Sequence, residues 1–148
     1  MRVYLTGSLR NPRVRELAND LRESGFEVFD DWHAAGPKAD DIWQDYEEGR
    51  GRTYPEALDG HAAWHTYLYD KHHIDHCDVL VLVMPAGKSS HLELGYAKGV
   101  GKRTVVFFQD GYPARWDVMY RFADTVTDSQ TDLVEYLCGV EWQREHAA

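Results

Sequence analysis

The sequence predicts an α/β protein, a single domain built on a Rossmann-like (flavodoxin-like) parallel sheet of about five strands flanked by helices. Two observations predict this class. Short apolar segments of strand length alternate along the chain with longer segments in which apolar residues recur at helical spacing. The 148 residues also suit one domain with a sizeable core, and no internal repeat or low-complexity tract divides them.

The first predicted unit is strand–helix–strand. Residues 3–6 form a short apolar strand and residues 27–29 a second one. Between them, Asn11 can cap a helix that has Pro12 at its first position and ends at Gly25. The apolar residues of this helix recur at i, i+3, i+4 and i+7, on one core-facing stripe: Val14, Leu17, Ala18 and Leu21. Such a unit begins a parallel sheet with a right-handed crossover.

The stretch after the second strand, about residues 33–52, is rich in glycine and charge and longer than a normal connection. Long connections of this kind are usually lids or binding loops, so an inserted lid or loop is expected at about residues 33–60. A helix then begins at Thr53, where Glu56 can complete a capping box, and runs to about residue 76.

The remaining predicted elements continue the alternation. They are a strand at 79–83, a helix at about 91–100, a strand at 103–108, a short strand at 124–127, and a last helix from its cap Ser129 to Cys138. The strands at 79–83 and 103–108 are continuous apolar runs, which is typical of strands buried on both faces of a parallel sheet.

Charge and composition exclude some classes of partner. The formal net charge of −9 repels polyanions, so duplex nucleic acid is not expected, although one small anion can still bind at a local basic spot. The apolar runs are far shorter than a membrane span, and the first residues predict a strand and not a signal peptide, so a cytoplasmic protein is expected. Cys77 and Cys138 both lie in apolar surroundings and are expected to be buried free thiols.

Glu93 is the most informative residue. A buried strand ends at Pro85, a short Gly/Ser loop follows, and a helix opens with this carboxylate in its first turn. Ligands of open α/β sheets bind at the carboxyl ends of strands, which places Glu93 where a small molecule would meet it. Ser90 and Glu93 also have the spacing of a capping box, so a purely structural role is the alternative.

Other carboxylates are weaker candidates. Asp78 opens the strand at 79–83, where it is either a second functional carboxylate or a solvated strand terminus. Asp30 and Asp31 follow the second strand and point toward the ligand edge, and one of the two is expected to be an exposed turn residue.

Two turns favour anions. Gly87-Lys88-Ser89-Ser90 lies before a helix N-terminus, and Gly7-Ser8-Leu9-Arg10 follows the first strand and carries a guanidinium. Neither is a Walker A sequence, because Leu82 stands where that pattern requires glycine.

One predicted helix is rich in histidine. His61 and His65, and likewise His72, His73 and His76, have spacings that zinc sites use. The HExxH pattern is absent, so surface or interface histidines are the simpler interpretation, with a metal-binding protein as the rival.

The sequence Glu93-Leu94-Gly95-Tyr96-Ala97, after a strand opened by Asp78 and before Gly101-Lys102 and another strand, resembles the nucleoside 2-deoxyribosyltransferase superfamily. This superfamily includes nucleoside 5′-monophosphate N-glycosidases. The Gly7-Ser8-Leu9-Arg10 turn adds to the likeness, which covers most of the chain as one domain, residues 1–148, except for the segment at about 33–60.

The resemblance implies a set of catalytic roles. Glu93 would be the nucleophile that attacks the anomeric carbon, Asp78 would recognise or protonate the departing base, and Tyr4 would hold the nucleophile. Asp117, in a segment resembling one that completes the sugar site of a neighbouring subunit, implies a homodimer or higher homo-oligomer. No metal or organic cofactor is implied.

The resemblance also bears on the substrate. The transferases carry an aspartate in the loop before the nucleophile, whereas Gly87, Lys88, Ser89 and Ser90 include no acid. Together with Gly7, Ser8 and Arg10 this loop favours a 5′-phosphate over a hydroxyl. The base pocket is expected to draw on Asp31, Trp32 and the segment at about 33–60.

The expected function is therefore cleavage of the N-glycosidic bond of a 2′-deoxyribonucleoside or its 5′-monophosphate through a glycosyl-Glu93 intermediate, with another nucleobase or water accepting the sugar. A non-catalytic nucleotide-binding or sensing module on the same fold is the alternative. In that case Glu93 would serve only as a helix cap.

Overall fold

The structure is a computed structural model, and it describes residues 1–147. Its centre is a five-stranded, all-parallel sheet with the strand order β2-β1-β3-β4-β5. The strands are β1 (Arg2–Thr6), β2 (Glu27–Phe29), β3 (Val79–Met84), β4 (Arg103–Phe108) and β5 (Thr125–Thr127). This order is that of flavodoxin-like sheets, so the predicted fold class is confirmed.

Six α-helices flank the sheet within residues 1–147. They are α1 (Arg13–Glu23), α2 (Ala39–Gly49), α3 (Tyr54–Leu58), α4 (His61–His76), α5 (Lys88–Gly99) and α6 (Gln130–His146). Two short 3₁₀ helices, Asp31–Ala35 and Val118–Phe122, follow β2 and precede β5. None of these helices is both long enough and apolar enough to cross a membrane.

The side chains of β1 and β3 alternate between two cores because successive residues of a strand point to opposite faces. Val3 and Leu5 lie in the core that α1 and α6 cover. Tyr4 points the other way, into the core formed with α4 and α5. Every residue of β3 up to Val83 is buried, as expected for the central strand. The face that bears Tyr4 is therefore the face on which the site is built.

The segment after β2 is helical and not an irregular loop, while an inserted lid at about residues 33–60 stays a prediction. Residues 31–35 form a 3₁₀ helix, and α2 follows with Glu47 buried against Arg52. The glycine and charged residues from which a loop was predicted lie mainly at the ends of α2 and on its exposed side. The predicted helix at 53–76 is broken because Gly60 has an extended backbone, although its Thr53–Glu56 capping box is confirmed.

Some predicted boundaries also shift. Helix α1 begins one residue after Pro12, with the Asn11 side chain accepting from the Arg13 N–H at 3.1 Å. Ser129 caps α6 as predicted, but the helix continues past Cys138 to His146. Cys77 is a buried free thiol, whereas Cys138 is an exposed one, because it lies on the outer face of α6.

Candidate active site

Glu93 lies inside α5 and does not cap it. Gly87 is the N-cap of this helix, so Ser90 and Glu93 both lie within the helical turns. The Ser90 hydroxyl is used elsewhere, since it donates to the Gly7 carbonyl oxygen at 3.0 Å and ties the first turn of α5 to the end of β1. The capping-box alternative is therefore wrong, and Glu93 needs another explanation.

The Glu93 carboxyl faces the Tyr4 phenol from across the core layer. Tyr4 Oη and Glu93 Oε2 are both buried, and neither has a hydrogen-bond partner among residues 1–147. Burial raises the pKa of Glu93 to about 7. The nearby Tyr4 hydroxyl, which lacks hydrogen-bond geometry, lowers this pKa, and the charge of Asp70 raises it further. Burial and the charges of Glu93 and Asp70 raise the pKa of Tyr4 well above its usual range, which keeps the phenol protonated.

Asp70 is a site residue that the sequence analysis missed. It lies on α4, half-buried, and burial raises its pKa to about 6. Its charge acts on both Glu93 and Tyr4, so three ionisable groups from β1, α4 and α5 influence one another. The available signal was helical spacing, because Asp70 precedes the buried Ile74 by four residues and therefore shares its inward face.

Asp78 does not join this group. It precedes β3 at the amino edge of the sheet, where its Oδ2 accepts from the Arg2 backbone N–H at 2.7 Å. Arg144 of α6 lies 3.1 Å from the same oxygen. The carboxylate ties β1 to α6, which is a structural arrangement at the edge away from the turns.

A cavity of about 460 Å³ opens between the two turns that were predicted to favour anions. It is lined by Ser8, Arg10, Asn11, Pro12, Arg13, Pro85, Ala86 and Gly87. Ser8 Oγ accepts from the Arg10 backbone N–H at 3.1 Å and so fixes the first turn. Lys88 and Ser89 are exposed in the first turn of α5, beside Gly87. The structure thus brings the two predicted anion turns together.

Gly7 is required by packing at the base of this cavity. A Cβ added there would lie 3.2 Å from Val14 Cγ2 and 3.3 Å from the Val83 carbonyl oxygen. This carbonyl belongs to the backbone of β3 and can move little. A larger residue at position 7 would therefore push the turn after β1 away from β3.

Aromatic side chains form the wall beside β2. Trp32 is half-buried, and its Nε1–H donates to the Leu5 carbonyl oxygen at 2.7 Å. The Phe29 ring is stacked 5.1 Å from Tyr4 and 3.8 Å from His73, centroid to centroid. These ring contacts connect Tyr4 with β2 and α4, and Trp32 belongs to the 3₁₀ helix Asp31–Ala35.

The two acids after β2 have different surroundings. Asp30 is buried and paired with Arg22 at 2.6 Å, whereas Asp31 is exposed, so Asp31 is the turn residue of the pair. The histidines of α4 gather no metal ligands, since no three His, Cys, Asp or Glu side chains in the described part of the chain converge as a cation site.

Asp117 lines a cavity together with His91, Leu94 and Gly95 of α5. Its Oδ1 accepts from the Met119 N–H at 2.8 Å, and it caps the 3₁₀ helix Val118–Phe122. The surrounding surface is apolar: the most exposed large hydrophobic residues of α5 and this segment are Leu92, Trp116, Val118, Met119 and Phe122. We call these five residues the apolar face.

Comparison with known proteins gives a likeness of fold. No protein-family profile matches the sequence, and no curated protein sequence does. Among solved structures, the chain is similar to a 2-deoxyribosyltransferase from Bacillus psychrosaccharolyticus, with a TM-score of 0.59 and 20% identity over 92% of each chain. It is also similar to the CMP N-glycosidase BcmB of Clostridium botulinum, with a TM-score of 0.51 and 16% identity over 93% of this chain and 98% of that one. Both are members of the nucleoside 2-deoxyribosyltransferase superfamily, so the chain has the fold that the motif resemblance predicted.

Proposed function

We propose that this chain cleaves the N-glycosidic bond of a 2′-deoxyribonucleoside or its 5′-monophosphate through a covalent glycosyl-Glu93 intermediate, and passes the sugar to another nucleobase or to water. The observation that carries this proposal is the buried, unpartnered Glu93 Oε2 beside Tyr4 Oη. A buried carboxyl without a partner destabilises the fold, so a function is the simplest reason for its presence. The fold shared with two enzymes of this chemistry supports the same function.

In the first step, the ionised Glu93 carboxylate attacks the anomeric carbon. A bond forms between a carboxylate oxygen and C1′ as the bond from C1′ to the base nitrogen breaks, and the base leaves with that electron pair. The pKa of about 7 means that ionised and protonated Glu93 coexist near neutral pH. The Tyr4 hydroxyl favours the ionised form and can orient it toward the sugar.

The departing base needs a proton, and we assign that role to Asp70 in place of Asp78. Asp70 influences Glu93 through its charge, and its pKa of about 6 keeps part of the population protonated near neutral pH. The reactive form has Asp70 protonated and Glu93 ionised, which is one microstate of a coupled pair. One carboxyl group as acid and one as nucleophile is the pair of roles that retaining glycosidases use.

In the second step, the acceptor attacks C1′ from the face that the base vacated. The ester bond to Glu93 breaks, the Glu93 carboxylate is regenerated, and the acceptor loses its proton to the Asp70 carboxylate. Two successive displacements retain the configuration at C1′.

A 5′-monophosphate suits the cavity between the two turns better than a 5′-hydroxyl does. Arg10 and Lys88 are cationic and exposed, Ser89 offers a hydroxyl, and the N-terminus of α5 presents unpaired N–H groups. The cavity lies at the carboxyl ends of β1 and β3, on the side from which the sugar would approach Glu93. Trp32 and Asp31 would line the approach to the base.

A second copy of the chain would cover the apolar face. Trp116 is 86% exposed and Phe122 69% exposed, and contiguous exposure of such side chains is typical of protein interfaces. Asp117 lies between Trp116 and Val118 of this face in the sequence. In a two-fold dimer, Asp117 of each subunit would complete the sugar site of its neighbour.

The experiment that tests this function is chromatographic measurement of free base released from deoxyribonucleosides, ribonucleosides and their 5′-monophosphates. Each substrate is incubated with and without a second base. Release from monophosphates without an acceptor establishes hydrolysis, and exchange that requires the second base establishes transfer. No release from any substrate would contradict the proposal and favour the nucleotide-binding module.

A further inference from the structure

Helices α4 and α5 are joined by a polar cluster outside the pocket of Glu93. Tyr96 Oη donates to Asp75 Oδ1 at 2.5 Å, and Lys71 Nζ donates to Asp75 Oδ2 at 2.7 Å. The Lys71 ammonium also lies 5.3 Å from the centroid of the Tyr96 ring. Lys102 Nζ donates to the Asp75 backbone carbonyl oxygen at 2.6 Å. Both carboxylate oxygens of Asp75 are therefore occupied by groups of this cluster.

The charged residues of the cluster keep their protonation states near neutral pH. Lys71 first, and then Tyr96, hold the pKa of Asp75 below its usual range, with a smaller contribution from Lys102. Asp75 and Tyr96 in turn raise the pKa of Lys71 above its usual range. The charge of Asp75 also acts on the buried Cys77, whose pKa it helps to raise after burial. The cluster therefore remains intact over the pH range in which Glu93 and Asp70 titrate.

Each helix of the pair carries one carboxyl of the active site. On α5, Tyr96 follows Glu93 by three residues, and on α4, Lys71 follows Asp70 directly. The charge of Asp70 raises the pKa of Glu93, so the two carboxylates repel one another when both are ionised. Repulsion between these two carboxylates favours separation of α4 and α5. The cluster joins the same two helices close by, so it can resist their separation.

We propose that Tyr96, Asp75 and Lys71 form an interhelical clamp that sets the distance between Glu93 and Asp70. The three are positioning residues, because none of them touches the pocket and they act through the two carboxyls. This inference rests on the proposed function for its catalytic consequence. The distance itself is a property of the folded chain and can be measured without any turnover.

The clamp matters because nucleophilic displacement depends steeply on geometry. A misplacement of about 1 Å can cost on the order of 10²-fold in rate. Loss of one clamp hydrogen bond, with the Tyr96 ring retained in its partly buried position, should lower kcat by about 10-fold. KM should change by less than about twofold, since the proposed phosphate groups belong to the turns and not to the clamp.

The test compares Tyr96→Phe and Asp75→Asn with a matched control, Tyr136→Phe on α6, whose half-buried ring packs on the opposite face of the sheet. The first readout is ¹³C NMR titration of the Glu93 carboxyl in protein labelled with ¹³C-glutamate, with the signal assigned from Glu93→Gln. In both clamp variants the pKa of Glu93 should fall toward its ordinary value of about 4.3, because burial and the influence of Asp70 both decrease. In Tyr136→Phe it should not move.

An unchanged Glu93 titration in folded Tyr96→Phe would overturn the clamp. If Asp75→Asn does not fold, Tyr96→Phe decides alone, since it removes only one hydroxyl. The second readout is the kcat and KM of base release, where a KM effect with unchanged kcat would also overturn the clamp. Absence of base release in the unmodified chain would refute the proposed function, and the titration would still decide the clamp.

Discussion

At the scale of single residues, the proposed chemistry depends on Glu93. It does not cap α5, its Oε2 has no partner within residues 1–147, and burial raises its pKa to about 7. Tyr4 and Asp70 face it from β1 and α4. A group that is costly to the fold and close to a phenol and a second carboxyl is better explained by chemistry than by stability.

The buried Glu93 makes stability depend on pH. Its pKa is raised from 4.5 to about 7 in the folded state, so the folded chain holds this proton more tightly and Glu93 lowers stability as pH rises through that window. Glu93→Gln should therefore raise the free energy of unfolding at pH 8 by as much as about 3 kcal/mol, an effect that fades toward pH 4. Urea unfolding at both pH values measures it. Glu135→Gln, exposed on α6, is the control. A stability gain of Glu93→Gln over the unmodified chain that is no larger at pH 8 than at pH 4 would contradict the assignment.

Asp70 should govern proton donation to the leaving base. The rate of base release should follow a bell-shaped pH profile whose two limbs lie near pH 6 and pH 7, because Glu93 must lose its proton and Asp70 must keep one. In Asp70→Asn, kcat/KM should fall by about 10²-fold and the alkaline limb should disappear. The loss of kcat/KM in Asp70→Asn should be smallest for substrates whose base leaves readily as an anion.

The pH profile of base release is measured for Asp70→Asn beside Asp59→Asn, which changes an exposed aspartate after α3. A profile that keeps its alkaline limb in Asp70→Asn would assign proton donation to another group.

At the scale of elements, the N-terminus of α5 and the turn after β1 act together. Ser90 Oγ holds the two in contact through the Gly7 carbonyl oxygen, and Gly7 leaves no room for a side chain against β3. The result is a cavity that Arg10 lines, with the exposed Lys88 adjoining its lining residue Gly87.

This arrangement predicts a preference that depends on the 5′ substituent. Arg10→Ala and Lys88→Ala should each raise KM for 5′-monophosphates by about 10-fold or more, since charge-assisted hydrogen bonds to phosphate are lost, and should leave nucleosides nearly unaffected. Steady-state kinetics on matched nucleoside and nucleotide pairs measures this. Lys38→Ala, an exposed lysine before α2, is the control. Equal effects on both substrates would refute the phosphate site.

At the scale of the whole molecule, the fold was predictable because hydrophobic patterning determines it. The apolar runs at β3 and β4 and the striped helix α1 are local signals, and their alternation predicted the parallel sheet. The place of Glu93 in the fold was predictable for the same reason, since it follows a strand and a glycine loop, and its catalytic role stays a proposal.

The rest of the site depends on contacts between distant parts of the chain. Ser90 is drawn into a bond with Gly7, 83 residues away, so the helix begins earlier than its capping pattern suggested. Asp70 lies in the middle of a helix with no motif around it, and only the packing of α4 against Tyr4 reveals it. Asp78 adjoins a strand, but the edge on which it lies is occupied by Arg2 and Arg144.

The apolar face predicts that the active form is an oligomer. Asp117→Ala and Glu93→Ala should each be inactive alone, because each dimer site then lacks one group. Mixing the two variants and allowing subunits to exchange should restore about a quarter of the original activity, since half of the dimers regain one complete site. Base release before and after mixing measures this. No recovery, in subunits shown by light scattering to exchange, would contradict a shared site.

The most direct test of the central claim is mass spectrometry of the peptide that contains Glu93 after acid quenching during turnover of a 2′-deoxynucleoside 5′-monophosphate. We expect a peptide heavier by one deoxyribosyl phosphate group, with the added mass on Glu93, and no such peptide from Glu93→Gln. Base release that persists in Glu93→Ala, or an adduct on a different residue, would contradict it.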